Sequence, residues 1–417
     1  GGLTSADHLQ CLARGRITLR KNNNSRVDAQ MITLTTTEDL AAFCKTARDH
    51  PYVTVDTEFL RERTYYSKLC LIQLAYPGGE DDGSAVLVDP LADGLSLEPL
   101  YDLFRDESVV KVFHAARQDL EIFWVDAKVF PVPLFDTQVA AMVCGFGEQA
   151  GYETLVRKIV KQGLDKTSRF TDWSRRPLTE AQKTYALADV THLRVIYEYL
   201  AGELEKTSRS HWVGEELKVL TDPATYDIQP EDAWKRVKTR TNSGKFLAVV
   251  RELAAFRETH AQTNNVPRNR VYKDDALVEL ASTKPRTPSD LGGSRLLLRE
   301  ARKGAIAEGI LAAVKRGVEC PADQLPKPDK SKEKLQVNPA LADLLRVLLK
   351  SKTESANVAA KLIATSADLD LIAAGQRDVA ALHGWRYEVF GADAMKLCDG
   401  KIALAAKGQS VKVVPLD

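Results

Sequence analysis

An aspartate and a glutamate one residue apart, Asp56 and Glu58, close the apolar run "YVTV" that begins at Tyr52. Residues i and i+2 of an extended chain face the same side. The two carboxylates are therefore held together at the end of a strand entering a core, where their repulsion is poorly screened. Two more acids sit where a core would not want them unpaired: Asp119 in "VFHAARQDLEIF" and Asp189 in "TYALADVTHL". Tyr185 precedes Asp189 by one helical turn, so the phenol and the carboxylate share a helix face. Carboxylate oxygens are hard ligands that suit Mg²⁺ or Mn²⁺. Two such ions, roughly 3.5–4 Å apart, can activate a water and stabilise the leaving oxygen of a phosphodiester. They would also neutralise Asp56 and Glu58. A phenol beside them can orient the attacking water without adding charge at rest. No cysteine or Ser–His pair competes as nucleophile.

Each of these residues has a plainer reading in isolation. Asp56 and Glu58 alone would be strand-end charges facing water. Asp119 near a helix start would interact with the helix dipole, and Tyr185 would be a core aromatic. Asp136 in "LFDTQVAA" reads as a helix N-cap. His114, at a strand end beside Asp119, fits a satisfied core histidine and a substrate contact equally. The order and company of the acids carry the chemical reading.

Positioning them requires an α/β scaffold. From Met31 to about Leu200, strand-like runs ("MITLT", "YVTVD", "KLCLIQLAY", "AVLVDP", "VVKVFHA") mix with helical periods ("TTEDLAAFCKTARD", "LSLEPLYDLFRD", "RQDLEIFWVDA", "FDTQVAAMVC", "YETLVRKIV"). A long helical segment, "TEAQKTYALADVTHLRVIYEYLAGELEK", follows them. A strand meander feeding into helices predicts a mixed sheet. Beyond about His211 the pattern turns helical, in "SGKFLAVVRELAAFRETHAQTNN", "DDALVELAST", "SRLLLREARKGAIAEGILAAVKRG" and "PALADLLRVLLKSKTESANVAAKLIATSADLDLIAAG". The Pro- and Lys-rich stretch "CPADQLPKPDKSKEKLQVNP" between them reads as a linker, and "KIALAAKGQSVKVV" predicts a closing strand pair.

The bulk numbers agree with a multidomain globular chain. Its 417 residues are too many for one ordinary core. A formal net charge of +1 excludes a global pull on nucleic acid, so any basic surface must be local. The six cysteines are scattered, with no C-x-x-C pair, which argues against structural zinc and for a reducing, cytoplasmic setting. No apolar run approaches membrane-span length, and no stable protein partner is implied. The first thirty residues, through "RKNNNSR", lack the apolar centre of a signal peptide. They read as a poorly anchored extension or an expression remnant, with Met31 a candidate natural start.

At these residues the chain resembles a known family. "VDTEFLRERTYYSKLCLIQLA", "FHAARQDLEIF" and "DWSRRPLTEAQKTYALADVTHL" are similar to the three exonuclease motifs of the DEDD superfamily, and specifically of ribonuclease D. The resemblance implies metal-ligand and catalytic roles for Asp56, Glu58, Asp119 and Asp189, with Tyr185 the catalytic phenol. The subgroup with histidine in place of tyrosine would carry it five residues before the last aspartate, where this chain has Thr184. "NNVPRNRVYKDDALVELA" and "PRTPSDL" resemble the HRDC domain, a small helical nucleic-acid-binding module, and 338–386 resembles a diverged second copy. The implied fold is an α/β exonuclease domain with a ribonuclease H-like mixed sheet and flanking helices, followed by two all-α HRDC-like modules.

The domains expected on that basis are 1–30 (extension), 31–210 (exonuclease), 211–320 (first HRDC-like domain), 321–337 (linker) and 338–417 (second, diverged HRDC-like domain). The implied activity is 3′→5′ removal of mononucleotides from single-stranded RNA 3′ ends, tRNA precursors among them, with two Mg²⁺ or Mn²⁺ ions. On that reading Phe59 would stack on a terminal base and Gln73 would hydrogen-bond a ribose. Core packing and a satisfied strand amide are their alternatives. "WKRVKTR", from Trp234 to Arg240, and Arg268, Arg270 and Lys273 offer phosphate contacts or a solvated helix face. A DNA exonuclease and a non-catalytic nucleic-acid-binding scaffold are the rival functions.

Overall fold

The computed structural model describes residues 31–79, 83–164, 171–241, 243–327 and 336–416. The expected N-terminal extension, 1–30, and the middle of the expected linker, 328–335, lie outside the described residues. Six strands form one mixed sheet: β1 (Thr33–Leu34), β2 (Tyr52–Leu60), β3 (Lys68–Ala75), β4 (Ala85–Val88), β5 (Val110–Phe113) and β6 (Leu134–Asp136). Their order across the sheet is β1-β4-β3-β2-β5-β6. The β2–β3 and β3–β4 pairs are antiparallel, and β1–β4, β2–β5 and β5–β6 are parallel. β2 is central and begins as an uninterrupted buried run because helices cover both of its faces.

The principal helices of this part are α1 (Thr37–Ala47), α2 (Glu98–Arg105), α3 (Arg117–Ala127), α4 (Thr137–Val143), α5 (Glu180–Lys206) and α6 (Ser210–Leu217). Side chains alternate along β2. Val53 and Val55 join the core that contains Leu120 and Phe123 of α3. On the opposite face the Thr54 hydroxyl donates to the Val190 carbonyl of α5, at 2.9 Å. α5 starts at a reciprocal cap, in which Thr179 and Gln182 each satisfy the other's backbone amide.

Two helical regions follow. The first is built on α7 (Gly244–Thr263), α8 (Asp274–Thr283) and α9 (Gly304–Val318), which enclose their own apolar core. α7 and α9 approach so closely that a Cβ on Gly317 would lie 2.5 Å from the Val249 Cα. The Tyr65 hydroxyl donates to Glu258 of α7 and accepts from Gln262 Nε2 at 3.2 Å, tying this region to the β2–β3 loop. The Tyr66 amide donates to Asn265 Oδ1 at 2.9 Å.

The second region contains α10 (Pro339–Ala356), α11 (Ser366–Ala373) and α12 (Ala392–Cys398). It closes with the hairpin β7 (Ile402–Lys407) and β8 (Ser410–Pro415), as "KIALAAKGQSVKVV" predicts. Its Leu345, Leu348 and Trp385 belong to the same core as Phe135, Leu200 and Trp212 of the α/β part. The Trp212 and Trp385 rings stack 4.4 Å apart, and the Ala359 amide donates to the Met142 carbonyl at 3.0 Å.

The structure departs from the sequence reading in local detail. β2 does not stop at its carboxylates. It runs on to Leu60, with a register shift between Glu58 and Phe59. "SRLLLREARKG" is not helical before a short turn at Glu300–Arg302. Glu279 accepts the Arg295 and Leu296 amides there, and Arg302 donates to the Ser294 and Leu297 carbonyls. These side-chain bonds give the backbone partners that a helix would otherwise supply.

Candidate active site

Asp56 and Glu58 project from one face of β2, toward α5, and Asp189 meets them from that helix. Oxygens of Asp56, Glu58 and Asp189 all lie within 4.8 Å of one another. Asp119 approaches at the end of the sheet, beyond the last residue of β5. One of its oxygens accepts the hydroxyl proton of Thr57, the residue between the two acids of β2. Three of the four predicted carboxylates therefore form a tight cluster, and the fourth is held beside it.

The turn that delivers Asp119 is built by Asp136. Its Oδ1 accepts the Ala115 amide at 3.0 Å and its Oδ2 the Ala116 amide at 2.9 Å. Its Oδ1 also caps α4 through the Gln138 amide, at 2.8 Å. Ala115 has φ of 57°, a left-handed conformation uncommon for a residue with a Cβ, and these bonds hold it. Asp136 is thus an N-cap, as its sequence context indicates, and also the anchor of the Asp119 turn.

A cleft of about 300 Å³ opens onto the cluster, lined by Asp56, Asp189, Tyr185, His114 and Tyr152 among others. The Tyr185 ring leans on Trp173, centroids 6.1 Å apart. His114 Nδ1 lies 3.0 Å from the Thr137 hydroxyl, leaving the ring against the cleft. Phe59 packs partly buried against the α3-side core. Gln73 is fully buried opposite Asp56 in the β2–β3 register, and both polar atoms of its amide lack a partner among the described residues.

Sequence reasoning passed over three contributors. Tyr152 donates its hydroxyl to the Asp189 carbonyl and sits 5.4 Å, centroid to centroid, from the His114 ring. The helical period of "YETLVRKIV" is legible, but its short helix, Tyr152–Leu155, gives way to a π turn, and nothing in that period marks the phenol's bond to Asp189. Thr57 was legible only as the off-face residue of an alternating strand. Arg176 fixes the loop before α5 through two 2.7 Å bonds to Asp89 and one to the Cys70 carbonyl.

The electrostatics match the geometry. Burial, and then the charge of Asp189, pushes Asp56 well above the usual carboxylate range. Burial, and then the charges of Asp56, Asp189 and Asp119, pushes Glu58 up to about 9. Asp119 is raised by burial and by Asp56, against the opposing Thr57 bond. Among the described residues no lysine or arginine forms an ion pair with Asp56, Glu58 or Asp119. Hard oxygen donors, close set and short of positive charge, fit divalent cations. His114 is pushed down by burial, so its ring is neutral near pH 7.

An acidic cluster at the end of a mixed sheet, with a phenol in an open cleft, is the site of a metal-dependent hydrolase suited to phosphodiesters. The 3′-5′ exonuclease family matches residues 31–205, and the HRDC domain family matches 246–314. The chain is 66% identical to ribonuclease D of Jannaschia sp. (strain CCS1), over 92% of this chain and 99% of that protein. It is 50% identical to ribonuclease D of Nitrobacter hamburgensis, over 91% and 98%. The crystal structure of Escherichia coli RNase D, an exoribonuclease involved in structured RNA processing, superimposes with a TM-score of 0.77 at 30% identity. It covers 89% of this chain and 99% of that one. The chain belongs to the ribonuclease D family of metal-dependent 3′–5′ exoribonucleases.

Proposed function

We propose that Asp56, Glu58, Asp119 and Asp189 hold two divalent ions, Mg²⁺ or Mn²⁺, and that Tyr185 positions the water that attacks the terminal phosphodiester of an RNA strand. The observation that carries this is the convergence of three carboxylates within 4.8 Å beneath an open cleft. Bound ions would neutralise the cluster and stabilise charge on the scissile phosphate. The protein's own part is orientation. Tyr185 presents its hydroxyl one helical turn from Asp189. Thr57 holds Asp119 at the edge of the cluster, and His114 and Tyr152 wall the space where a terminal nucleoside would sit. Phe59, partly buried against the α3-side core, would reach a base only through its exposed edge. Gln73, wholly buried, would act on the ribose only through the residues around it.

The substrates we propose are single-stranded RNA 3′ ends, including those of tRNA precursors, in the cytoplasm. Among the described residues no helix is long and apolar enough to cross a membrane, and five cysteines are free thiols. Incubation with 3′-labelled RNA and Mg²⁺ should release 5′-mononucleotides. Activity that survives excess EDTA, or is undiminished in Asp56→Ala, overturns the metal reading. Faster hydrolysis of a matched DNA strand would favour the DNA exonuclease reading, and absence of any mononucleotide release the scaffold.

A further inference from the structure

Four arginines from distant parts of the chain converge beside the acidic cluster. Arg61 and Arg117 of the α/β part, Arg236 of the connecting segment and Arg268 of the first helical region line one cavity of about 500 Å³ together with Tyr65 and Tyr226. Arg61 follows Glu58 by three residues and Arg117 precedes Asp119 by two, so the cavity adjoins the catalytic carboxylates through the backbone that carries them.

The charges do not balance. Glu121 holds Arg61 through two bonds, at 2.9 and 3.2 Å. Glu258, only 1% exposed, holds Arg268 and the Tyr65 hydroxyl. Arg117 and Arg236 are exposed, and neither has an ion-pair or hydrogen-bond partner among the described residues. Two guanidinium groups therefore lack a direct carboxylate partner in a concave site of nucleotide size, the charge of Glu258 reaching Arg236 only at longer range. Guanidinium forks bind phosphate oxygens bidentately. Arg268 lies 4.9 Å over the centre of the Tyr65 ring, which fixes that ring in place.

Resting on the exoribonuclease reading above, we propose that this arginine cavity holds backbone phosphates of the RNA strand upstream of the nucleotide being removed. Arg117 and Arg236 are the contacting groups. Arg61 and Arg268, each already tied to a carboxylate, shape the wall. The strand would thereby bridge the α/β part and the first helical region while its 3′ end occupies the carboxylate cleft.

The test compares the full-length protein with its Arg117→Ala/Arg236→Ala variant. Binding of 5′-fluorescein-labelled decauridylate is followed by anisotropy with Ca²⁺, across a salt series. The variant should bind about tenfold or more weakly. The slope of log affinity against log salt should fall by about 1.4, the value for two phosphates on a single strand. Arg117→Lys/Arg236→Lys, which keeps the charge, should recover most of the slope and so exclude misfolding. Hydrolysis of diuridylate with Mg²⁺, a substrate too short to span both sites, should suffer at least about fivefold less than decauridylate binding. An unchanged affinity and slope, or equal losses on both lengths, overturns the proposal. Failure of the unaltered protein to release mononucleotides from any RNA instead sinks the exoribonuclease reading, and the binding comparison still reports on the cavity.

Discussion

Glu58→Gln tests the claim that the carboxylate cluster is built for cations. Burial and the neighbouring carboxylates push Glu58 from its ordinary 4.5 up to about 9. An acid whose pKa is raised by folding weakens the folded state wherever the unfolded chain would ionise it. No penalty exists below the unfolded value, and the penalty grows with pH until the folded value is passed. At pH 7 that interval spans two and a half pH units at roughly 1.4 kcal/mol each, or about 3 kcal/mol. At pH 5 it is below about 1 kcal/mol. Glutamine cannot ionise, so the variant should be more stable than the native sequence in EDTA, by about 3 kcal/mol at pH 7 and by little at pH 5. In melting temperature this is on the order of 5–10 °C. Scanning calorimetry in EDTA at pH 5, 6, 7 and 8 reads it directly, and saturating Mg²⁺ should abolish or reverse the advantage. Exonuclease turnover should fall by about a hundredfold or more if Glu58 is the cation ligand proposed above. A variant no more stable than native at pH 7, or a gain that does not grow with pH, refutes the reasoning.

Three further outcomes follow from packing. Gly317→Ala forces a methyl group against Val249 backbone and should lower the stability of the first helical region by about 2–3 kcal/mol, seen as early loss of amide-exchange protection in α7 and α9. Arg176→Ala strips the partner from Asp89 and frees the loop before α5. Breaking a partly buried pair of this kind should destabilise by about 2–3 kcal/mol, read by urea unfolding, with turnover reduced more than RNA affinity. Trp212→Ala removes one of two stacked indoles and should cost about 3 kcal/mol or more, with near-ultraviolet circular dichroism losing the signal of the pair.

Much of the site was visible in the one-dimensional order of residues because alternation and helical spacing are local rules. The Asp56–Glu58 pair needed only the pleat of a strand, and the Tyr185–Asp189 pair only one helical turn. The placement of Asp119 required three segments at once: the end of β5, the left-handed Ala115, and Asp136 reaching across from β6. No local pattern encodes such an arrangement, and only the resemblance to known exonucleases pointed to it. The arginines illustrate the same limit. "WKRVKTR" and Arg268 gave no sign of meeting Arg61 and Arg117, since that encounter depends on how the first helical region docks through Tyr65 and Asn265. The register shift after Glu58 leaves the alternation of β2 unmarked, and the irregular stretch before Gly304 was hidden because hydrophobic period is silent about side chains that compete for backbone amides.

The sharing of one apolar interior by the α/β part and the second helical region bears on how the molecule can be divided. A cut between α9 and α10 looks convenient on paper, yet it would strip Trp385, Leu345 and Leu348 from Trp212 and leave a greasy scar on the remaining fragment. Such a fragment should clump or demand detergent, whereas excising the first helical region, whose interior is its own, should leave a well-behaved remainder. The last eighty residues thus serve as a buttress for the nuclease as well as an appendage to it.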